Sequence, residues 1–378
     1  MGASEDHHRR LLQRAALLAL RGHGRAEPNP MVGCVIVNDA GETVGWGYHR
    51  EVGGPHAEIV ALQRAGPNAR GATVYCTLEP CNHHGRTGPC SQALIDAEVA
   101  RVFVARRDPW PIAAGGIERL RAAGIDTHVI DVCSLATRVS QPFVHRLTTG
   151  LPWVTVKWAQ TRDGAIALPA SLGPRWISGR ASRAMVHRER GRVDAILTGI
   201  GTVLADDPLL TPRGVRLRRS HRRPPRGMPL RVIVDPRLQT PLDSQLARTA
   251  GEVPTIIACA DQSAETEAAT RLRAAGAQLM PLPMDGIELP LATALKRLAS
   301  QHDVTHVLTE AGPGLMRRLF QQRLANEAWV FTAPLDTGND PSLPHVRGML
   351  NDLRIEPWAR QRRGDDAIAR SWINTAPV

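Results

Sequence analysis

Apolar positions along the chain fall into two alternating rhythms: short unbroken runs, and stripes recurring every three or four residues. Residues 8–21 space leucine and alanine helically and end near Gly22, which predicts a first helix. The stretch AEPNPMVGCVIVNDAGETVGWGYH then reads as a loop, a strand, an Asp-Ala-Gly turn and a second strand. A helix is predicted from Pro55 to Ala65, with proline favoured in its first turn. Next come a strand over 72–78, a helix over 89–97, a strand over 101–105, a helix over 116–123 and a strand over 126–130. The alternation pauses over 141–152 (QPFVHRLTTGLP), which reads as a linker. It resumes with strands near 153–159, 194–198, 230–235, 254–260 and 305–309, and helices near 179–190, 264–275, 289–300 and 314–323. Strands alternating with helices predict α/β architecture. A chain of 378 residues exceeds one ordinary core, so two α/β domains are expected, 1–148 and 152–378.

Composition narrows the class. A hydrophobic content of 43% with 22% charged residues describes a folded chain, not a disordered one. No apolar run approaches the ~18 residues of a membrane span. The opening MGASEDHHRR has acids and histidines where a signal peptide needs a basic start and an apolar stretch. The expectation is a cytoplasmic protein without a membrane partner. Of the net charge of +11, eight units sit in residues 212–231, which hold eight arginines and no acid among prolines and glycines. That composition reads as a solvated surface loop. No aromatic residue interleaves the arginines for base stacking, which argues against a nucleic-acid partner. Only two of the 47 basic residues, Lys157 and Lys296, are lysine. Where nearly every cation is arginine, a lysine suggests a need for a compact ammonium, and Lys157 sits on a predicted strand beside other candidates.

Six cysteines in so long a chain do not suggest a disulfide scaffold. Cys34 and Cys76 lie in strand-like apolar runs and read as buried, inert thiols. Cys81 and Cys90 differ, each following a proline in LEPCNHHGRTGPC. Upstream, HAEIVALQRAG places His56 and Glu58 at a predicted helix start. A catalytic zinc takes three protein ligands and keeps a fourth position for water, and His56, Cys81 and Cys90 supply that set. Glu58 could then move a proton beside the metal. Other readings stand next to this one: a polar helix terminus, or a structural zinc with His83 or His84 as fourth ligand. The pairing of the HAE triplet with two proline-flanked cysteines favours catalysis.

His-x-Glu followed by Pro-Cys and a second Cys resembles the zinc-dependent nucleobase deaminases. The longer string TLEPCNHHGRTGPC, with PNPMVGCVIV upstream, resembles the bacterial bifunctional riboflavin-biosynthesis family, a pyrimidine deaminase fused to a reductase. The resemblance implies a cytidine-deaminase-like three-layer α/β/α domain followed by a dihydrofolate-reductase-like α/β domain. It implies zinc on His56, Cys81 and Cys90, with Glu58 as proton shuttle, in the hydrolytic deamination of a phosphoribosylated diaminopyrimidinone. Asn29 in the Pro-Asn-Pro loop is then a hydrogen-bonding partner for the pyrimidine, or simply a turn residue. His83, Arg86 and Thr87 could meet the ribose phosphate.

In the second half no Gly-x-Gly-x-x-Gly follows a strand, so an ordinary dinucleotide fingerprint is lacking. VTVKWAQTRDG, RWIS, DAILTGIGTVLADDPLLTPR and TEAGPGL occur in the order of the family's reductase, which uses NADPH to convert the ribosyl group to ribityl. By position, Ala159, Trp176, Thr202, Asp206 and the turn carrying Gly312 and Gly314 would contact the cofactor. Lys157, Arg190, Leu210, Arg213 and Glu310 would contact the substrate. Trp176 could stack on a flat ring or pack in the core. Arg183, His187 and Arg190 share one helical face, a basic stripe suited to phosphate or simply solvated. A homo-oligomer is the family expectation.

The chain departs from the family pattern at Trp110, where Asn is usual, at Arg162, at Pro236, and in PLDTGNDPSLPH. Two further readings therefore stay open: a deaminase with a non-reducing second domain, and an RNA-editing or nucleic-acid-binding protein.

Overall fold

The computed structural model describes residues 2–84, 88–130, 134–169, 176–215, 227–284, 286, 288–346 and 355–373. The chain divides into two units, Met1–Gly150 and Leu151–Val378. Among the described residues no helix is long and apolar enough to cross a membrane.

The first unit is built on five strands: β1 (Gly33–Val37), β2 (Thr43–Tyr48), β3 (Thr73–Cys76), β4 (Arg101–Val104) and β5 (Asp126–Val129). Their order is β2-β1-β3-β4-β5. β1 runs antiparallel to both neighbours, and β3, β4 and β5 are parallel. Every residue of β1 is buried, because both faces of the sheet are covered. Cys34 and Ile36 pack under α2 (Ala57–Ala65), α3 (Cys90–Asp96) and α4 (Gly116–Ala122). Val35 and Val37 face α1 (Gly2–Ala19) and α5 (Ser134–Val139). The period of two along a strand divides one apolar run between two cores, giving the three layers.

α2 lies unusually close to β2. A Cβ on Gly47 would stand 2.2 Å from the Ala57 carbonyl oxygen, and one on Gly45 would stand 2.4 Å from that of Ala61. Two residues along a strand and four along a helix both advance about 6–7 Å, so the two glycines admit successive turns of the helix.

The second unit holds nine strands: β6 (Trp153–Gln160), β7 (Ala195–Gly199), β8 (Leu230–Val234), β9 (Thr255–Ala260), β10 (Gln278–Leu282), β11 (His306–Glu310), β12 (Glu327–Thr332), β13 (Ile355–Arg363) and β14 (Asp366–Ile373). Their order is β10-β9-β8-β7-β11-β6-β12-β14-β13. All neighbours are parallel except β14 with β12 and β13 with β14. One face packs under α11 (Leu291–Gln301) and α12 (Pro313–Gln321). The other packs under α7 (Arg180–Arg190), α8 (Ile200–Asp206), α9 (Gln245–Arg248) and α10 (Glu267–Ala274).

Two sequence expectations need correction. The segment read as a linker is helical over α6 (Gln141–Thr149). Pro142 lies in its first turn, where a missing N–H costs no hydrogen bond, and Gly150 closes it in the left-handed region at φ 70°. The second unit also carries β10, β12, β13 and β14, which the patterning does not reveal. Register places Arg363 opposite Asp366, so Gly364 and Asp365 form a two-residue turn, with Gly364 at φ 58°. In β13 and β14 polar residues interrupt the apolar pattern. Arg370 is held by Glu189 at 3.0 Å, and the neighbouring Glu327 accepts from the Thr155 hydroxyl at 2.9 Å.

Gly47→Ala should therefore destabilise the first unit by about 1–3 kcal/mol, the usual penalty for forcing volume into a packed contact. Denaturant unfolding followed by circular dichroism reads it. An unshifted midpoint would show that α2 can move off the strand at no cost.

Candidate functional site

β2, β3 and β4 point the same way, so the chain segments that leave them emerge at one edge of the sheet. Those segments carry the candidate metal ligands. His56 is the N-cap of α2, with Glu58 in that helix's first turn. Cys81 lies in the loop after β3, and Cys90 opens α3 behind Pro89. His56 Nδ1 stands 3.3 Å from Cys90 Sγ and 3.4 Å from Cys81 Sγ. The Cys90 amide donates to Cys81 Sγ at 3.5 Å. Among the described residues these three form a group with ligand atoms within 4.8 Å of one another. His84 is exposed, and His83 stands edge-on to Trp110 at 5.8 Å. Neither joins as a fourth ligand, so the arrangement suits a catalytic zinc with an open position better than a structural one.

Crowding sets the protonation of this cluster. The hydrogen bond from Cys90, opposed by burial and aided by His56, draws the Cys81 thiol down to about 4. Cys90, bonded to that thiolate and buried, is pushed far above the ordinary thiol range. The hydrogen bond to Cys81, against the cost of burial, lifts His56 to about 9. Glu58 is 3% exposed, and burial pushes its carboxyl up to about 7 despite the nearby His56.

Asn29 is drawn towards this edge. Its Nδ2 donates to His49 Nε2 at 3.2 Å, and His49 Nδ1 donates to the Pro55 carbonyl at 3.2 Å. The His49 ring is edge-on to His56, centroids 5.5 Å apart. Burial lowers the pKa of His49, consistent with the neutral tautomer these bonds require. His49 is a residue at this edge that the sequence reading passes over. A lone histidine after a strand gives no signal until loop packing is seen. Arg86 and Thr87 lie outside the described residues.

In the second unit, Glu310 at the end of β11 receives Arg190 from α7 bidentately, Nε to Oε1 at 2.6 Å and Nη2 to Oε2 at 2.9 Å. Arg190 also donates from Nη1 to the Thr211 carbonyl at 3.2 Å. Lys157 sits opposite Glu310 in the β6–β11 register, its ammonium 5.6 Å from the centre of the Phe331 ring. Burial lowers the Lys157 pKa, with Glu310 opposing. Burial would raise Glu310, but Arg190 and Lys157 outweigh it and hold the carboxyl low. Three predicted substrate residues thus converge, two of them already paired with each other.

The remaining candidates are placed less uniformly. Leu210 is 2% exposed, packed in the core with φ 50°, so it fixes the turn before Thr211. Arg213 is exposed, its amide donating to His187 Nδ1 at 3.2 Å. The Gly312 amide donates to Thr202 Oγ1 at 2.9 Å, which joins the start of α12 to α8. Gly314 has open space where a side chain would be. Ala159, the last residue but one of β6, lies opposite Phe331. Asp206 closes α8, its pKa raised by burial. Trp176 is 73% exposed, which removes the core reading, and Arg183 lies 5.5 Å from its ring centre. The variant loop 335–339 is clasped by Asp163, which accepts from the Thr161 hydroxyl at 2.6 Å, the Thr337 hydroxyl at 2.5 Å and the Asn339 amide at 3.0 Å. Arg162 is exposed beside that clasp.

Residues 5–106 match the family model of the cytidine and deoxycytidylate deaminase zinc-binding region, and residues 152–368 match the RibD C-terminal domain. Riboflavin biosynthesis protein RibD of Aquifex aeolicus is 37% identical over 358 residues, 94% of this chain and 95% of the relative. The protein of the same name from Escherichia coli is 39% identical over 334 residues, 87% and 88% of the two chains. Among solved structures, Acinetobacter baumannii RibD (form 1) aligns with TM-score 0.74 at 33% identity, covering 98% of this chain and 100% of that one. A diaminohydroxyphosphoribosylaminopyrimidine deaminase/5-amino-6-(5-phosphoribosylamino)uracil reductase from Thermotoga maritima aligns with TM-score 0.75 at 27% identity, covering 98% and 99%.

Zinc binding should release about two protons at pH 7, because ligands must be deprotonated to bind. In the metal-free protein His56, at about 9, and Cys90, raised above the usual range, both hold theirs, whereas Cys81, at about 4, has lost its own. Affinity should rise with pH, steeply below about 9 where His56 and Cys90 both give up a proton, and less steeply above it where only Cys90 does. Calorimetric zinc titrations in buffers of different ionisation enthalpy count the protons, and release of none would overturn the assigned protonation.

Proposed function

We infer the chemistry of both sites from one premise: the chain belongs to the RibD family of riboflavin-biosynthesis proteins, in which a deaminase and a reductase share one polypeptide. It is accordingly a bifunctional deaminase/reductase of riboflavin biosynthesis that acts on a pyrimidine intermediate. We propose that the first unit deaminates 2,5-diamino-6-(5-phosphoribosylamino)pyrimidin-4(3H)-one. The second then reduces the ribosyl group to ribityl with NADPH.

The observation that carries the first step is the group of half-buried His56 with buried Cys81 and Cys90, and Glu58 two residues beyond His56 in the first turn of the same helix. One imidazole and two thiols, crowded enough to disturb each other's protons, are a donor set that zinc fits. Bound there, zinc supplies Lewis acidity that lowers the pKa of water from about 15.7 towards about 7. Glu58 supplies the proton traffic. Its carboxyl accepts a proton from the attacking water and delivers it to the amino nitrogen, which departs as ammonia while the carbonyl forms. Burial excludes competing solvent from that exchange, and the Asn29–His49–Pro55 chain fixes the ring beside His56.

For the second step, the nine-residue α12 offers the amides of Gly314 and Leu315, which follow Pro313, to a cofactor phosphate, with Thr202 holding Gly312 in place. NADPH, when bound, supplies the hydride. Lys157 presents a compact cation at the end of β6, suited to an oxygen of the opening sugar. Arg190 and Glu310 keep that cation oriented through a desolvated ion pair, and Arg190 ties it to the 210–213 turn that we assign to substrate. Trp176, Asp206 and Ala159 are the remaining cofactor contacts in this reading.

Mass spectrometry of products from zinc-loaded protein, the diaminopyrimidinone ribotide and NADPH tests both steps. The native protein should give the deaminated, ribityl product. Glu58→Gln should keep its zinc and lose about 10²–10⁴-fold in deamination, the usual worth of a positioned acid–base. Lys157→Met should stop at the deaminated compound with its ribosyl group intact. Reduction at the native rate in the Lys157 variant would remove that residue from the site.

A further inference from the structure

Glu79 has no part in the chemistry described so far, yet its carboxylate is 3% exposed and fully engaged. Oε2 accepts from the Asp108 amide at 3.0 Å, and Oε1 accepts from the amides of Gly115 at 3.0 Å and Ile117 at 3.1 Å. One side chain, two residues before the ligand Cys81, thus gathers both ends of the loop 108–117 that leaves β4. An ionised carboxylate only accepts and can take three N–H donors at once. A glutamine would have to turn its own N–H₂ towards at least one of them.

The loop so held is seated directly on the metal-site residues. Ala113 is 3% exposed and packs against Cys81 and Cys90, and its carbonyl accepts the Asn82 amide at 2.8 Å. Gly116 passes so close to the ligand loop that a Cβ would stand 1.8 Å from the Pro80 carbonyl oxygen. At its tip the Trp110 amide donates to Asp108 Oδ1 at 2.9 Å, and the indole stands edge-on to His83 with centroids 5.8 Å apart. Trp110 is 36% exposed, so an aromatic face at this rim remains open to a ligand. His83 Nδ1 is buried without a hydrogen-bond partner among the described residues.

We propose that Glu79 is a positioning residue for deamination: it fixes loop 108–117 so that Trp110 and His83 form one wall against which the planar pyrimidine of the substrate seats. This rests on the deaminase reading of the zinc site. An indole recognises a flat heterocycle through dispersion and stacking, which tolerates no drift of the loop that presents it. Glu79 therefore acts on substrate binding, through Trp110, and leaves the zinc ligands and the proton shuttle as they are.

Glu79→Gln, Trp110→Ala and the double variant test it in the full-length zinc-loaded protein. Glu79→Gln should bind zinc at native stoichiometry and reduce the already deaminated ribotide at the native rate. Hydrogen exchange of the peptide spanning 106–118 should quicken, because three amides lose part of their acceptor. KM for the diaminopyrimidinone ribotide should rise about tenfold with kcat changed less than about threefold, the split expected when uniform binding is lost. Trp110→Ala should show the same split, and the double variant should be no worse than Trp110→Ala alone, because the two act as a unit. Additive effects, a fall in kcat at constant KM, or native kinetics despite quickened exchange would each overturn the inference. Should Glu79→Gln lose zinc, Trp110→Ala decides: a native KM in that variant sinks the proposal. A wild-type protein that binds zinc but leaves the ribotide intact would sink the deaminase reading together with this inference. An active wild type with unaltered variants sinks the inference alone.

Discussion

Parallel strand direction is the constraint on which both candidate sites rest. A strand can serve a shared site only if its outgoing loop emerges at the same edge as its neighbours' loops, and parallel strands guarantee this. In the first unit β2, β3 and β4 share a direction, and the segments following them supply His56, Cys81 with Cys90, and the 108–117 loop. In the second unit β6, β7, β11 and β12 are parallel, and their ends deliver Lys157, the turn into α8, Glu310 and the clasped loop 335–339. The residues concerned are far apart in sequence, up to 176 positions between Asp163 and Asn339. Topology alone brings them within hydrogen-bond reach.

Close approach is the second requirement, and small residues provide it. A metal site with one imidazole and two thiols needs the helix carrying the histidine to press against its sheet. Gly45 and Gly47 permit that contact where any side chain would collide with the α2 carbonyls. The electrostatic consequence is a cluster that cannot hold all its charges at once. Two sulfurs near one ring nitrogen leave a single thiolate, a thiol and a protonated ring, so the metal-free site stores protons that a divalent cation would displace. The second unit solves a similar problem differently. Arg190 and Glu310, 12% and 13% exposed, neutralise each other through two parallel bonds, and the neighbouring Lys157 keeps a partner without sharing that geometry.

Much of this was legible in the sequence for physical reasons that can be named. Zinc chemistry demands specific donor atoms, so His56, Glu58, Cys81 and Cys90 stand out from spacing and residue type. The fully buried strands β1, β8 and β9 stand out as apolar runs because both faces are covered. Elements whose stability comes from polar pairing were not legible. β14 contains Arg370, which reads as a surface residue until Glu189 and Glu327 are found beside it. α6 was obscured by Pro142, whose effect depends on its place in the first turn. Leu210 points to substrate by its position in a motif, and in the fold its side chain lies in the core while its backbone shapes the 210–213 turn.

Glu79 shows why second-layer residues escape a sequence reading. A buried carboxylate that serves three backbone amides has no preferred partner residue type, because every non-proline residue carries an N–H. Asp108, Gly115 and Ile117 are recruited through their backbones and leave no pattern of side chains to recognise. The same logic applies to Asp163, which grips the backbone at Thr337 and Asn339. In both units, then, an acid near the end of a parallel strand spends its charge on a loop from another strand. The residue such a loop presents at its tip, Trp110 here, is separate from the anchor that holds the loop. A change at the tip alters what the wall recognises; a change at the anchor alters whether there is a wall at all.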